Sequence, residues 1–239
     1  MENPAPVCLH CAPDNRIGLA GLLPKEDIIA DYAFHSALIA SVLLELWLEH
    51  KPLRYIGCTF RDPAFWKDFL VGIVWGSLSI GLVAAGMIAV TRELSLGQIG
   101  QGFGNVNWAY VLLFWLFVAL AEESLARGYL LSVLRDSVGI KLALVIAAVI
   151  FAAIHLINPD YYWFAFLYAF LIAIMLGGIV LKRGSLGCVI GFHYTWNLLQ
   201  DKGLLNMPEQ GGEIIFAIVL LINIALVYWF LPRRQRQAG

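Results

Sequence analysis

Residues 108–134 read WAYVLLFWLFVALAEESLARGYLLSVL, an apolar run with two glutamates and an arginine set into it. Crossing a hydrocarbon core of about 30 Å takes about 20 residues at 1.5 Å each, so this stretch is long enough to span a bilayer. Charges at that depth are costly, and an intramembrane ionisable residue marks a functional site by default. Working outward, similar apolar runs fall at about 28–48, 69–90, 107–133, 140–157, 163–181, 186–200 and 214–231. The pattern predicts an all-α, polytopic membrane helix bundle of about seven transmembrane helices. The runs 140–157 and 186–200 are short, which suits tilting, partial re-entry or burial inside the bundle. Gly72, Gly76, Gly81 and Gly86 suit close helix approach in lipid.

Composition agrees. Of 239 residues, 60% are hydrophobic and 14% charged, with a mean hydropathy of +0.76, whereas soluble domains keep about a quarter of their residues charged. Nothing in the charge pattern supports nucleic-acid binding. Eleven positive residues (Lys51, Arg54, Arg61, Lys67, Arg135, Lys141, Lys182, Arg183, Arg233, Arg234 and Arg236) fall on one predicted side, and four (Arg16, Lys25, Arg92 and Lys202) on the other. This bias places the C-terminus in the cytoplasm and the N-terminus outside. The expected organisation is an extracytoplasmic tail over 1–27, a single transmembrane domain over 28–231 and a basic cytoplasmic tail over 232–239.

No cleavable signal peptide is expected, because residues 1–27 lack a basic start followed by an apolar core. Cys8 and Cys11 read as terminal thiols or a small disulfide rather than as half of a metal site. Residues 60–70 mix aromatic and charged side chains and suit an interfacial helix leading into the second span, or a loop with aromatic anchors. The glycines of 91–106 imply a flexible connection. Asn158-Pro159 ends a helix, and Tyr161, Tyr162 and Trp163 make an aromatic belt.

The polar residues carry the chemistry. Glu123 and Arg127 are four apart on one helix face, with the acid N-terminal to the cation, so they can neutralise each other. Glu122 is rotated about 100° away and has no local cation, which leaves it available for proton transfer. Phe151 and His155 share a face on the next run, as do His193 and Asn197 two runs later. Counted from the predicted cytoplasmic ends, Glu123 lies roughly 17 Å deep, His155 roughly 21 Å and His193 roughly 12 Å. Groups distant in sequence can therefore meet in one cavity. Singly, each has a bland reading as a bundle hydrogen bond or an ion pair; their similar depths favour a site. His35, Glu45 and Asn223 lack such partners in the sequence and are read as structural.

In order and on successive helices, Glu122-Glu123-x-x-x-Arg127-Gly128, Phe151-x-x-x-His155 and His193-x-x-x-Asn197 resemble the motifs of the CPBP (CAAX protease and bacteriocin-processing, or Abi) intramembrane glutamic endopeptidases. The resemblance covers about residues 105–200, and Ala126 stands where relatives often carry an aromatic. It implies metal-independent peptide hydrolysis near the ends of membrane-anchored or lipidated proteins or peptides, with no cofactor. Glu122 would be the base and His155 would orient water. His193 and Asn197 would stabilise the oxyanion, and Glu123 with Arg127 would support the helix. A multi-pass protein of a prokaryotic plasma membrane is expected. The alternatives are a non-catalytic scaffold or immunity-type binding protein, a zinc hydrolase using Glu122, His155 and His193, and, least favoured, a transporter.

Overall fold

The structure, a computed structural model, describes residues 28–90, 108–156, 163–200 and 212–232. The expectations for Cys8, Cys11, the 91–106 connection, Asn158-Pro159, Tyr161 and Tyr162 of the aromatic belt, and residues 1–27 and 233–239 of the terminal tails lie outside the described residues. The chain runs α1 (Ile28–Leu48), a 3-10 turn (Leu53–Ile56), α2 (Pro63–Val90), α3 (Trp108–Glu123), a π segment (Ser124–Leu130), α4 (Leu131–Val138), α5 (Ile140–His155), α6 (Trp163–Arg183), α7 (Gly187–Leu199) and α8 (Gly212–Phe230). Because α3, the π segment and α4 are continuous, these elements form seven rods, and the described residues contain no strand. The molecule is an all-α membrane bundle. By length and composition, four rods can each cross a bilayer: Pro63–Val90, Trp108–Val138, Phe164–Arg183 and Gly212–Phe230. Leu70, Val74, Leu78, Leu113, Leu221 and Trp229 on these rods, and Leu44 and Trp47 on α1, are exposed on the outside of the bundle. That much bare apolar surface is suited to lipid rather than water.

The interfacial helix expected at 60–70 begins at Pro63 and runs into the second span without a break, as the first part of α2. Asp62 Oδ1 accepts the Ala64 N–H at 2.8 Å, and Pro63 occupies the first helical position, where its missing N–H costs nothing. At 28 residues, α2 is about 42 Å long, so it can cross the core and reach into the interface without a break. Upstream, Gly57 has a φ of 80° and closes the 3-10 turn. Its carbonyl accepts the Leu186 N–H at 3.0 Å, which ties this turn to the start of α7. A side chain at Gly57 would be strained by its backbone conformation and crowded by Ser185 and Leu186.

The tightest contact in the bundle is that of α2 on α7. A Cβ on Gly72 would collide with the Cys188 carbonyl, and one on Gly191 with the Phe69 carbonyl. Two glycine faces thus let the backbones touch, as small residues do between membrane helices. Gly81 meets nothing, and Gly86 meets only the Ile215 side chain, so close backbone approach is confined to the first half of α2. Of the short helices, α7 has 13 residues, with Gly187 to Phe192, Thr195 and Trp196 buried. It is an inner helix rather than a lipid-facing span.

Polar links fix the remaining rods. Asp68 of α2, 1% exposed, pairs with Arg183 at the end of α6. Asn223 of α8 accepts from the Trp75 indole and from Ser79, and donates to the Val219 carbonyl at 2.9 Å. This satisfies the buried amide, and the residue is structural as expected. Lys182 donates to the carbonyls of Tyr228 and Leu231 at 2.9 and 3.0 Å, closing the open end of α8 from a neighbouring helix. Gly191→Leu must push α7 off α2, costing at least about 1–3 kcal/mol, whereas Gly81→Ala should change stability by no more than about 0.5 kcal/mol. Thermal unfolding of the purified variants checks this, and equal midpoints would refute the close contact.

Candidate active site

The glutamate pair sits where α3 passes into the π segment, Ser124–Leu130. A π turn widens the helix and shifts the register of the residues after it, and such turns recur at functional sites. Gly128 lies in this turn. A Cβ there would approach Ile56 to 3.0 Å and Leu186 to 3.2 Å, so the turn packs directly on the 3-10 element.

The two adjacent carboxylates have different environments. The Glu123 side chain is 0% exposed and that of Glu122 is 23% exposed. Arg127 Nη1 donates to Glu123 Oε1 at 2.8 Å, so the expected pair forms. His193 Nδ1 reaches the same oxygen at 2.7 Å. Glu123 and Arg127 are therefore not a self-contained pair: the carboxylate also holds the imidazole of α7. Because a carboxylate only accepts, Nδ1 of His193 carries the proton and Nε2 faces the other way. That Nε2 lies 3.9 Å from Glu122 Oε2.

Arg127 links the pair to α5. Its guanidinium carbon stands 3.9 Å from the centroid of the Phe151 ring, a cation–π contact in a desolvated setting. One turn on, His155 Nδ1 is 2.8 Å from the Phe151 carbonyl. A carbonyl also only accepts, so Nδ1 is again the protonated nitrogen, and the Nε2 of neutral His155 carries a lone pair. His155 acts electrostatically on Glu122, as do His193 and His35. The structure thus gathers Glu122, Glu123, Arg127, His155 and His193 at one place. Asn197 is half-buried one turn beyond His193 on α7, and no hydrogen bond joins its side chain to these groups among the described residues.

One group escaped the sequence reading. His35 of α1 is 8% exposed, and its Nε2 lies 3.7 Å from Glu122 Oε1. Glu122 is therefore not isolated but lies between two imidazoles. The available signal was a histidine on the inward stripe of an apolar helix; what it faces depends on how α1 docks. Glu45, by contrast, is exposed near the end of α1 and accepts from Tyr129 at 3.4 Å.

Serine and cysteine are poorly placed as nucleophiles. Ser124 is buried, with its hydroxyl 3.9 Å from Cys58 Sγ. In the α1–α2 connection, burial pushes the Cys58 thiol up to about 11, far from the thiolate that nucleophilic attack requires. Among the described residues, no three of the His, Cys, Asp and Glu side chains are grouped to hold a metal ion.

Removing Arg127 would leave Glu123 buried with His193 alone. Breaking one side of such a pair costs about 3–5 kcal/mol, so Arg127→Ala should lower the yield and the melting temperature of the inserted protein. Double substitution with Glu123→Gln should recover part of the loss. Wild-type thermal stability of Arg127→Ala would contradict the pairing.

Residues 104–199, which include Glu122, Glu123, Arg127, His155, His193 and Asn197 but not His35, match the family described as type II CAAX prenyl endopeptidase, Rce1-like. No curated protein and no solved structure matches the chain. The polar centre of this bundle, with the three motifs that compose it, thus lies within a segment similar to the CAAX prenyl endopeptidases.

Proposed function

We propose that the protein is an intramembrane, metal-independent glutamic endopeptidase that cleaves near the termini of membrane-anchored, prenylated or otherwise lipidated proteins. The observation that carries this reading is the division of labour between adjacent glutamates. Glu123 is fully buried and committed to Arg127 and His193, while Glu122 is partly exposed and surrounded by imidazoles. Two carboxylates in contrasting environments are the usual signature of one structural and one reactive acid.

In the proposed reaction a water lies between Glu122 and the Nε2 lone pair of His155. Glu122 takes its proton as the oxygen attacks the scissile carbonyl carbon. The oxyanion forms against the Nε2–H of protonated His193, whose Nδ1–H is held by the Glu123 carboxylate behind it. Asn197 adds a second donor once substrate fills the site. The C–N bond then breaks, and Glu122 returns its proton to the leaving amine. No covalent intermediate forms. The bias of positive residues supports a C-terminus in the cytoplasm and an N-terminus outside, and the membrane in this reading is a prokaryotic plasma membrane.

Comparing protein termini in membrane fractions carrying wild type or Glu122→Gln tests this reading directly. Termini that appear only with the wild type are expected, and identical termini with a properly inserted variant would favour a scaffold or binding protein. On a cleavable peptide, His155→Ala and His193→Ala should abolish turnover. Asn197→Ala should cut kcat by about 10²–10³, and an unchanged kcat would remove it from the oxyanion site. Chelators should leave the rate unaltered.

A further inference from the structure

The inward stripe of α1 is formed by His35, Val42 and Leu46, with Tyr32 and Ile39 partly buried beside them. This spacing keeps them on one helical face. His35 is the ionisable residue on a stripe otherwise apolar or aromatic. Burying an imidazole there costs free energy unless it is partnered. The rings of Phe34, Phe114 and Phe117 pack around it with centroids at 5.1, 6.3 and 6.4 Å and near-perpendicular to steeply tilted planes. Its orientation is thereby set, with Nε2 towards Glu122 Oε1 at 3.7 Å.

The groups that face Glu122 are His35 from α1, His155 from α5, His193 from α7 and Arg127 from the π segment. None of the last three gives a hydrogen bond to Glu122. Arg127 turns Nη1 to Glu123, and its Nη2 is buried without a partner. The Nδ1–H of His193 is held by Glu123 and that of His155 by the Phe151 carbonyl. In their neutral forms both histidines present lone pairs at Nε2, and the Nε2–H of protonated His193 is needed by the oxyanion. A general base that must also be held in one rotamer therefore takes its donor from α1.

We propose that His35 is a positioning residue: its Nε2–H holds Oε1 of Glu122 and so turns Oε2 towards His193 and the attacking water. The present distance exceeds hydrogen-bond length, and such contacts tighten as substrate closes the site. The working site is then composite, with a helix outside residues 104–199 completing what the matched segment begins. This inference rests on Glu122 being the general base.

Two measurements on the full-length protein in nanodiscs decide it. In 15N-histidine spectra, with His35 assigned by its loss in His35→Gln, the His35 Nε2–H signal should shift when Glu122→Gln replaces the carboxylate. A signal indifferent to that change overturns the proposal. On a quenched fluorescent peptide ending in prenyl-Cys-aliphatic-aliphatic-X, His35→Phe preserves the aromatic packing without a donor and should lower kcat about tenfold with KM unchanged. His35→Gln places an N–H near the original one and should recover most of kcat. The reverse order, with Phe active and Gln impaired, would mean packing alone and would also overturn it. Turnover surviving in Glu122→Gln would sink the general-base reading instead, while the nitrogen spectra would still decide whether His35 and Glu122 are joined.

Discussion

A desolvated carboxylate sets the terms for this bundle. Glu123 has no exposed surface, and an uncompensated charge in such a place costs several kcal/mol. Two partners meet it: Arg127 from the next turn of its own rod, and His193 from a helix far along the chain. Their distances of 2.8 and 2.7 Å are those of charge-assisted hydrogen bonds. Because Arg127 also lies over Phe151, beside His155, one buried acid aligns three rods. The residues that could do chemistry are arranged by the same interaction that makes burial tolerable.

Much of this was legible in the sequence because a bilayer simplifies the problem. Length and hydropathy marked all seven rods, and rise per residue was enough to bring Glu123, His155 and His193 to similar depth. The misses have physical causes. A π turn leaves no trace in apolar periodicity when almost every neighbour is apolar, so Ser124–Leu130 read as ordinary helix. His35 looked solitary because its partner is supplied by docking, which a linear reading does not contain. The polar start of α2 was legible as a helix leading into the span, but its first residue is set by the Asp62 cap and Pro63. Asn197 shares a face with His193, yet sharing a face did not bring it into the hydrogen-bonded cluster.

Backbone contact and side-chain contact do different work. Where α2 meets α7, glycines remove the side chains, and the two helices fix each other's height and rotation with little freedom. That rigidity sets where His193 stands. On the other flank α1 meets α3 through aromatic rings at 5.5–6.4 Å, a softer seam between larger groups. Glu122 thus lies between a stiff wall and a compliant one.

The brevity of α7 bears on biosynthesis. With 13 residues it is about 20 Å long and does not span hydrocarbon unaided. Its place is made by α2, from which it is separated in the chain by α3 to α6. A growing polypeptide that has emerged only as far as α6 therefore holds both glutamates and Arg127 but lacks His193, and its buried acid is only half compensated. The polar centre is complete only when a late segment docks against an early one, so an incomplete chain on the ribosome has not yet assembled it.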